Sequence, residues 1–352
     1  MVTEKALNLK KTVPFLVAGV LIFVAYLYFF GDIPRTLAII QTVDLLDYGL
    51  AVAALFLSMV TAALTWQYFL KPLSVKVAFR KTFLFTWIGT FVDLIVPAES
   101  ISGDASKIYL MSKETGDDTG KIVASVVSNR ILAMIISLGS LIFSSVALFM
   151  VDYTLPAFVF NIILLIVIGT TVSLVFIFLC VLKQSLTQRI IDAVLRFVAY
   201  IARGRLNLEN MRNKATNALN SFHCSIGCLL KSPKNLALPV LFSIVSWILS
   251  ILLSYFVFIS LGQHVDFILI LVVYSISVNV QSIPIGIPAE VGFVEIIMSS
   301  LYGLLGIDAG IAVAATILTR LLLVWVRIFV GLIAVHWIDL KDLAKNLRQD
   351  LF

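Results

Sequence analysis

Two stretches of the sequence, GDDTGKIVASVVSNR at residues 116–130 and GIDAGIAVAATILTR at residues 306–320, align without a gap. Six of their fifteen positions are identical. The tripeptide Pro-Ala-Glu precedes each stretch, starting at residue 97 in the first case and at residue 288 in the second. The distance from the tripeptide to the stretch that follows it differs by one residue between the two places. The sequence therefore predicts two copies of one structural unit.

The composition is typical of an integral membrane protein. Of the 352 residues 61% are hydrophobic and 13% are charged, and the mean hydropathy is +1.06. A helix needs about 20 apolar residues to cross a hydrocarbon core of roughly 30 Å. Six predicted spans meet this requirement: residues 13–30, 48–70, 121–150, 157–182, 236–260 and 310–338. The first is expected to be a retained anchor, because no cleavage pattern follows it.

Basic residues predict how the chain is oriented. The net charge of +6 does not indicate nucleic-acid binding here, because membrane proteins concentrate Lys and Arg in cytoplasmic loops. Residues 183–235 carry nine Lys or Arg against two acids, and apolar residues recur at helical spacing around 189–205. This segment is predicted to be a cytoplasmic linker, either an amphipathic helix at the lipid surface or simply a basic connection. Both termini are then cytoplasmic, with the protein in the plasma membrane.

Two further apolar stretches, residues 82–96 and 267–283, each run into a proline-containing, charged segment. If the first were a full span, the basic linker would lie outside the cell. A re-entrant hairpin removes this conflict, and the same interpretation applies to the second. The turn residues are predicted to be Pro97 and Gly103 in one hairpin, and Pro288 and Gly292 in the other.

The predicted fold is therefore an all-α integral membrane protein with six transmembrane helices, two re-entrant hairpins and an inverted pseudo-repeat. Repeat one spans about 48–150 and repeat two about 236–338. Inverted repeats with broken helices near the midplane are typical of alternating-access transporters.

Charged residues fall inside the predicted spans. Arg130 and Arg320 are the tenth and eleventh residues of theirs, where an ionised side chain costs at least about 2.5 kcal/mol unless it faces protein or water. Arg327 follows Arg320 by seven residues, which would place it on the same helical face. Acidic residues in the hairpins are the expected partners: Glu99, Asp104, Glu290 and Glu295.

These groups admit two compatible interpretations. Free amides at half-helix starts near Gly103 and Gly292, together with the arginines, predict a site for a phosphate-bearing headgroup. Alternatively, Arg130 with Asp104 and Arg320 with Glu295 form internal ion pairs that fix each hairpin to the next span.

Pro97 to Asp104 are followed by Arg130, and Pro288 to Glu295 are followed by Arg320. A sequence with these residues in this order resembles the lysylphosphatidylglycerol synthase transmembrane region family, also called the flippase-like domain family. The resemblance implies a membrane domain that moves lipids between leaflets. In bifunctional members a soluble lysyltransferase follows, whereas this chain ends fourteen residues after the last predicted span, so the translocator alone is expected. The second-half turn, Ile287 to Glu290, has fewer glycines than is usual in the family.

The predicted function is translocation of a lipid with an anionic or zwitterionic headgroup. Asp104, Arg130, Glu295 and Arg320 would line the headgroup path, with Glu99, Glu290 and Arg327 beside it. The alternatives are a secondary transporter of a small anion, and a non-transporting membrane partner of a lipid-modifying enzyme or glycosyltransferase.

Enzymatic chemistry is not expected. The sequence has three histidines and no nucleophile-base pair at membrane depth. No cofactor or ATP-binding loop is predicted. The cluster of His223, Cys224 and Cys228 offers only three ligands, so no metal site is predicted.

Overall fold

A computed structural model describes residues 33–96, 101–150, 157–189, 208–281 and 286–349, and five separate residues: Leu21, Ala25, Tyr28, Asp192 and Ala193. Over these residues the chain is helical and has no strand, which confirms the predicted all-α class. The α-helices are α1 Ile33–Gln41, α2 Leu45–Leu70, α3 Phe79–Ile95, α4 Ile101–Thr115, α5 Thr119–Met150, α6 Ala157–Leu182, α7 Leu208–Leu230, α8 Lys234–Ser260, α9 Phe267–Gln281, α10 Phe293–Leu304, α11 Ala309–Arg320 and α12 Arg327–Gln349.

Five helical stretches in the described part of the chain are long and apolar enough to cross a membrane. They are Leu45–Leu73, Thr119–Leu148, Ile163–Leu182, Lys234–Ser260 and Ala309–Ile338. These stretches correspond to five of the six spans predicted from hydropathy. The sixth, at 13–30, lies outside the described residues apart from three isolated positions.

The helices that open the two predicted repeats, α2 and α8, pack against each other along their length. At one end Asp44 N donates to Ser260 O at 2.8 Å. At the other end the rings of Tyr68 and Phe242 stack at 5.4 Å between centroids. Residue numbers rise along α2 as they fall along α8, so the two helices are antiparallel.

Each repeat then contains a pair of shorter helices. In the first, α3 and α4 have 17 and 15 residues, which makes these helices roughly 22–26 Å long at 1.5 Å per residue. They pack antiparallel, with Gly103 N donating to Asp93 Oδ1 at 2.6 Å. In the second, α9 and α10 have 15 and 12 residues and contact each other. The 3₁₀-helix Pro288–Glu290 lies between them.

One short helix of each half packs against a long helix of the other half. Helix α3 packs on α12, where Gly331 leaves room for Phe91. Helix α9 packs on α5, where Asn279 Nδ2 donates to Ser137 Oγ at 2.7 Å. This reciprocal packing joins the two halves into one bundle.

The predicted linker contains α7, which packs on the start of α5. Gly120 allows this close approach, because a Cβ there would lie 2.6 Å from Ser221 Cβ. The apolar face of α7, including Leu219 and Phe222, is buried in the same contact. Most of the predicted amphipathic segment at 189–205 lies outside the described residues.

Candidate functional site

The repeated sequence stretch builds the same helix start twice. The aspartate before α5 accepts a hydrogen bond from Gly120 N at 2.9 Å, and the aspartate before α11 accepts one from Gly310 N at 3.0 Å. Such N-caps fix where each helix begins. Arg130 and Arg320 are each the twelfth residue of their helix, roughly 17 Å from its start.

The side chain of Arg320 is buried in the second half of the protein. Its Nε donates to Glu295 Oε1 at 2.7 Å, and its Nη2 donates to Ala289 O. The other carboxylate oxygen of Glu295 accepts from Gly292 N at 2.7 Å. The side chains of Arg320 and Glu295 are 4% and 7% exposed. The predicted ion pair is confirmed, and it is sealed from solvent in this conformation.

The same hydrogen bonds hold an unusual turn. Four of the described residues between α9 and α10 have positive φ: Gly286, Ala289, Glu290 and Gly292. For residues with a side chain, such as Ala289 and Glu290, the left-handed region costs about 1–2 kcal/mol each. Arg320 bonds the carbonyl of Ala289 directly, so the arginine that neutralises Glu295 also stabilises this turn.

The corresponding pair in the first half is more open. Arg130 Nη1 lies 3.4 Å from Asp104 Oδ2, and Lys107 Nζ lies 3.1 Å from Asp104 Oδ1. The exposed fractions are 34% for Arg130, 21% for Asp104 and 16% for Lys107. The predicted pair is again confirmed, but two cations share the carboxylate of Asp104 at longer distances, and Lys107 also lies near the carboxylate of Asp93.

A cavity of about 220 Å³ lies close to this cluster, among α2, α3, α4, α5, α8 and α12. Lys107 and Arg327 supply its cationic groups, and Asn129 supplies an amide. Hydroxyl, aromatic and small apolar side chains complete the lining: Ser58, Met59, Ala62, Trp66, Thr86, Thr90, Val126 and Ser246. No carboxylate lines it among the residues that the structure describes.

Three predictions about the site need correction. The amides of Gly103 and Gly292 are not free for an anion, because Asp93 and Glu295 accept from them. Gly103, predicted to be a turn residue, lies within the first turn of α4. Pro288 does lie between the paired helices, buried in the 3₁₀-helix. Pro97 and Glu99 lie outside the described residues.

Arg320 and Arg327 lie near enough to interact electrostatically, but they contact different groups, which the prediction of a common face did not foresee. The prediction assumed an unbroken α-helix, but the intervening Leu321–Val326 is a π-helix. A π-helix takes more residues per turn than an α-helix, so it rotates the residues that follow. Arg320 is bound to Glu295, whereas Arg327 lines the cavity.

Two site residues were missed from the sequence. Lys107 follows Asp104 by three residues on α4 and pairs with it. Asp93 fixes the start of α4 through Ser102 and Gly103. A signal for Asp93 was present: it is a carboxylate inside the apolar stretch 82–96, where an ionisable residue needs a partner.

The family model for the lysylphosphatidylglycerol synthase transmembrane region matches residues 16–331. The chain belongs to this family. The match takes in both Arg–acid pairs, and the resemblance inferred from the sequence is confirmed.

Relatives of this family member occur in archaea. A UPF0104 membrane protein of Pyrococcus horikoshii is 28% identical over 324 residues, covering 90% of this chain and 94% of the relative. A UPF0104 membrane protein of Methanothermobacter thermautotrophicus is 22% identical over 313 residues, covering 86% and 88%. One of Methanocaldococcus jannaschii is 23% identical over 275 residues, covering 76% and 78%. These matches establish a membrane protein, and none of the names states an activity.

Proposed function

We propose that this protein translocates lipids with an anionic or zwitterionic headgroup between membrane leaflets. The observation that carries the proposal is the partly exposed cluster of Asp104, Lys107 and Arg130, beside a polar cavity within an apolar bundle. Charged groups at such a position are expensive unless they contact water, protein or a charged ligand. A headgroup that crosses the bilayer needs such groups along its path.

We further propose that α3 with α4 and α9 with α10 are re-entrant hairpins of an inverted repeat. Their lengths support this, since helices of 12–17 residues fall short of the about 20 residues that a full span needs. The antiparallel α2 and α8, and the reciprocal packing of α3 on α12 and α9 on α5, are consistent with a two-fold relation in the membrane plane.

The proposed orientation places both termini and the linker on the cytoplasmic side of the plasma membrane. The basic charge of residues 183–235 supports it. In this arrangement the two Arg–acid pairs approach the midplane from opposite sides. One pair is open and the other is sealed, as expected of an alternating-access protein held in one state.

The proposed roles of the site residues follow from these environments. Asp104, Arg130 and Arg327 line the headgroup path, while Glu295 and Arg320 lock the second hairpin and would contact a headgroup only after opening. Glu99 and Glu290, one in each Pro-Ala-Glu tripeptide, are proposed to border the path. The protein acts in this proposal as a translocator and not as an enzyme.

A leaflet-resolved assay in proteoliposomes tests the proposal. We expect the wild-type protein to move fluorescently headgroup-labelled phosphatidylglycerol or phosphatidylethanolamine faster than protein-free vesicles. Arg130→Gln is expected to slow this movement about tenfold or more, because charge-assisted hydrogen bonds to a phosphate are worth roughly 1.5–3 kcal/mol. Dithionite quenching of the outer leaflet measures the rate.

The matched control is Arg35→Gln, which removes the same charge from an exposed ion pair with Asp308. This control should translocate as the wild type does. If the wild-type protein moves neither lipid faster than empty vesicles, the proposal fails, and a partner-binding role becomes the better hypothesis.

A further inference from the structure

We infer that the cavity between Lys107 and Arg327 is a binding site for a phosphate group. The inference deepens the proposed function and rests on it for the source of the ligand, while the chemistry of the site stands on the structure. The two cations come from different elements, α4 and α12, and both line the same 220 Å³ cavity.

Arg327 provides the strongest indication that something binds there. Its Nε is buried and has no hydrogen-bond partner among the described residues. Burying a donor without an acceptor is destabilising, and more so when the donor is charged. In the second half, by contrast, the Nε of Arg320 donates a hydrogen bond to Glu295. An anionic ligand would supply the acceptor that Arg327 lacks.

The hydrogen-bond donors of the cavity favour an anion over a neutral ligand. The hydroxyls of Ser58, Thr86 and Thr90 donate to backbone carbonyls of their own helices. The indole of Trp66 donates to Ser125 Oγ at 3.0 Å. The donors left to meet a ligand are therefore those of the two cations and the amide of Asn129. Asp104 and Asp93 both lie near Lys107, whereas Arg327 makes no ion pair with a carboxylate among the described residues and leaves positive charge at the cavity.

The size of the cavity limits the ligand. A volume of about 220 Å³ equals that of roughly seven water molecules at about 30 Å³ each. This volume is below the about 300–1,000 Å³ of pockets that enclose drug-sized ligands. A phosphate with a few waters fits, and the acyl chains of a lipid would have to lie outside.

The packing of α3 on α4 shows that the lysine is held in place. An added Cβ at Gly89 would lie 2.8 Å from Lys107 Cγ, so the glycine leaves room for the lysine stem against α3. The Lys107 stem thus lies against α3 at Gly89, and Thr86 and Thr90 of α3 line the same cavity as Lys107. A flexible surface lysine would show no such contact.

Binding to the purified full-length protein in detergent tests the site. The probes are inorganic phosphate, dioctanoyl phosphatidic acid and dioctanoylglycerol, and the last two share acyl chains and differ in the phosphate. Calorimetric titration is expected to show tighter binding of phosphatidic acid than of dioctanoylglycerol. Arg327→Gln and Lys107→Gln should each weaken that binding about ten- to a hundredfold.

The controls remove the same charges elsewhere. Arg35→Gln and Lys81→Gln alter exposed ion pairs with Asp308 and Glu114 and should leave binding unchanged. Gel filtration establishes that each variant is folded, and Lys107→Gln provides a second test if Arg327→Gln aggregates. If inorganic phosphate also binds and is lost in the same variants, the ligand includes free phosphate. If only phosphatidic acid binds, the source is a lipid headgroup.

The inference is overturned if phosphatidic acid binds no more tightly than dioctanoylglycerol, or binds equally well to both variants. These results are separable from the translocation assay. Translocation without phosphate-dependent binding would overturn the site and leave the proposed function standing. Phosphate binding without translocation would support the site and overturn the proposed function.

Discussion

Replacing Arg320 with alanine is expected to lower the free energy of unfolding by about 3–5 kcal/mol, because it leaves a buried carboxylate without its counter-ion. Glu295 is 7% exposed, so little solvent can reach its carboxylate to replace the lost guanidinium. The carbonyl of Ala289 also loses its donor, and the left-handed turn loses its support. Unfolding by SDS titration from mild detergent micelles measures the change.

Two comparisons make this prediction specific. Arg35→Ala breaks an ion pair whose arginine is 57% exposed, so it should cost at most about 1 kcal/mol. The double variant Arg320→Met with Glu295→Leu removes both buried charges and is expected to recover much of the loss. Recovery should be incomplete, since Gly292 N and Ala289 O lose their partners. A loss for Arg320→Ala no larger than that for Arg35→Ala would contradict a structural role.

The long helices and the two ion pairs could be predicted from the sequence because both depend on local or repeated features. Apolar runs of 18 or more residues specify spans almost regardless of their neighbours. The paired arginines each required a buried acid, and Asp104 and Glu295 stood at matching positions of the repeat. The structure adds that the two pairs differ in exposure, which the repeat did not indicate.

The cavity could not be predicted because it depends on how separate helices pack. Lys107 appears in the sequence as an ordinary charge in a polar segment, and its position follows from the glycine contact between α3 and α4. Arg327 is placed by the π-helix Leu321–Val326. Nothing in that apolar run distinguishes π from α geometry, so the register change arises from tertiary packing.

Gly103→Ala is expected to disrupt the first pair of short helices and the charged cluster together. A Cβ at this position would overlap the carbonyl oxygen of Gly89 and the carboxylate of Asp93. The obstacle includes backbone, so α3 and α4 must separate, and the hydrogen bond from Gly103 N to Asp93 lengthens or breaks. Overpacking of this kind costs about 1–3 kcal/mol, and more where the backbone must move.

The functional loss should exceed the loss of stability, because Asp104 and Lys107 follow Gly103 on the same helix. A small displacement of α4 alters the distances of Asp104 to Arg130 and of Lys107 to the cavity. We therefore expect Gly103→Ala to abolish lipid translocation and phosphatidic acid binding even in the fraction of protein that remains folded. The assays described above, applied to the monodisperse fraction, measure both.

Two other glycines provide a graded comparison. Gly139 in α5 has no atom within 4 Å of an added Cβ, so Gly139→Ala should leave function unchanged and add about 0.5–1 kcal/mol of stability by favouring the helix. The three atoms nearest to an added Cβ at Gly89 all belong to the Lys107 side chain, so Gly89→Ala should weaken phosphate binding while costing less stability than Gly103→Ala. If Gly103→Ala behaved as Gly139→Ala does, α3 and α4 could not be packed as the structure places them. If Gly89→Ala left binding intact, Lys107 would not be a ligand of the phosphate, because its displacement would then be without consequence.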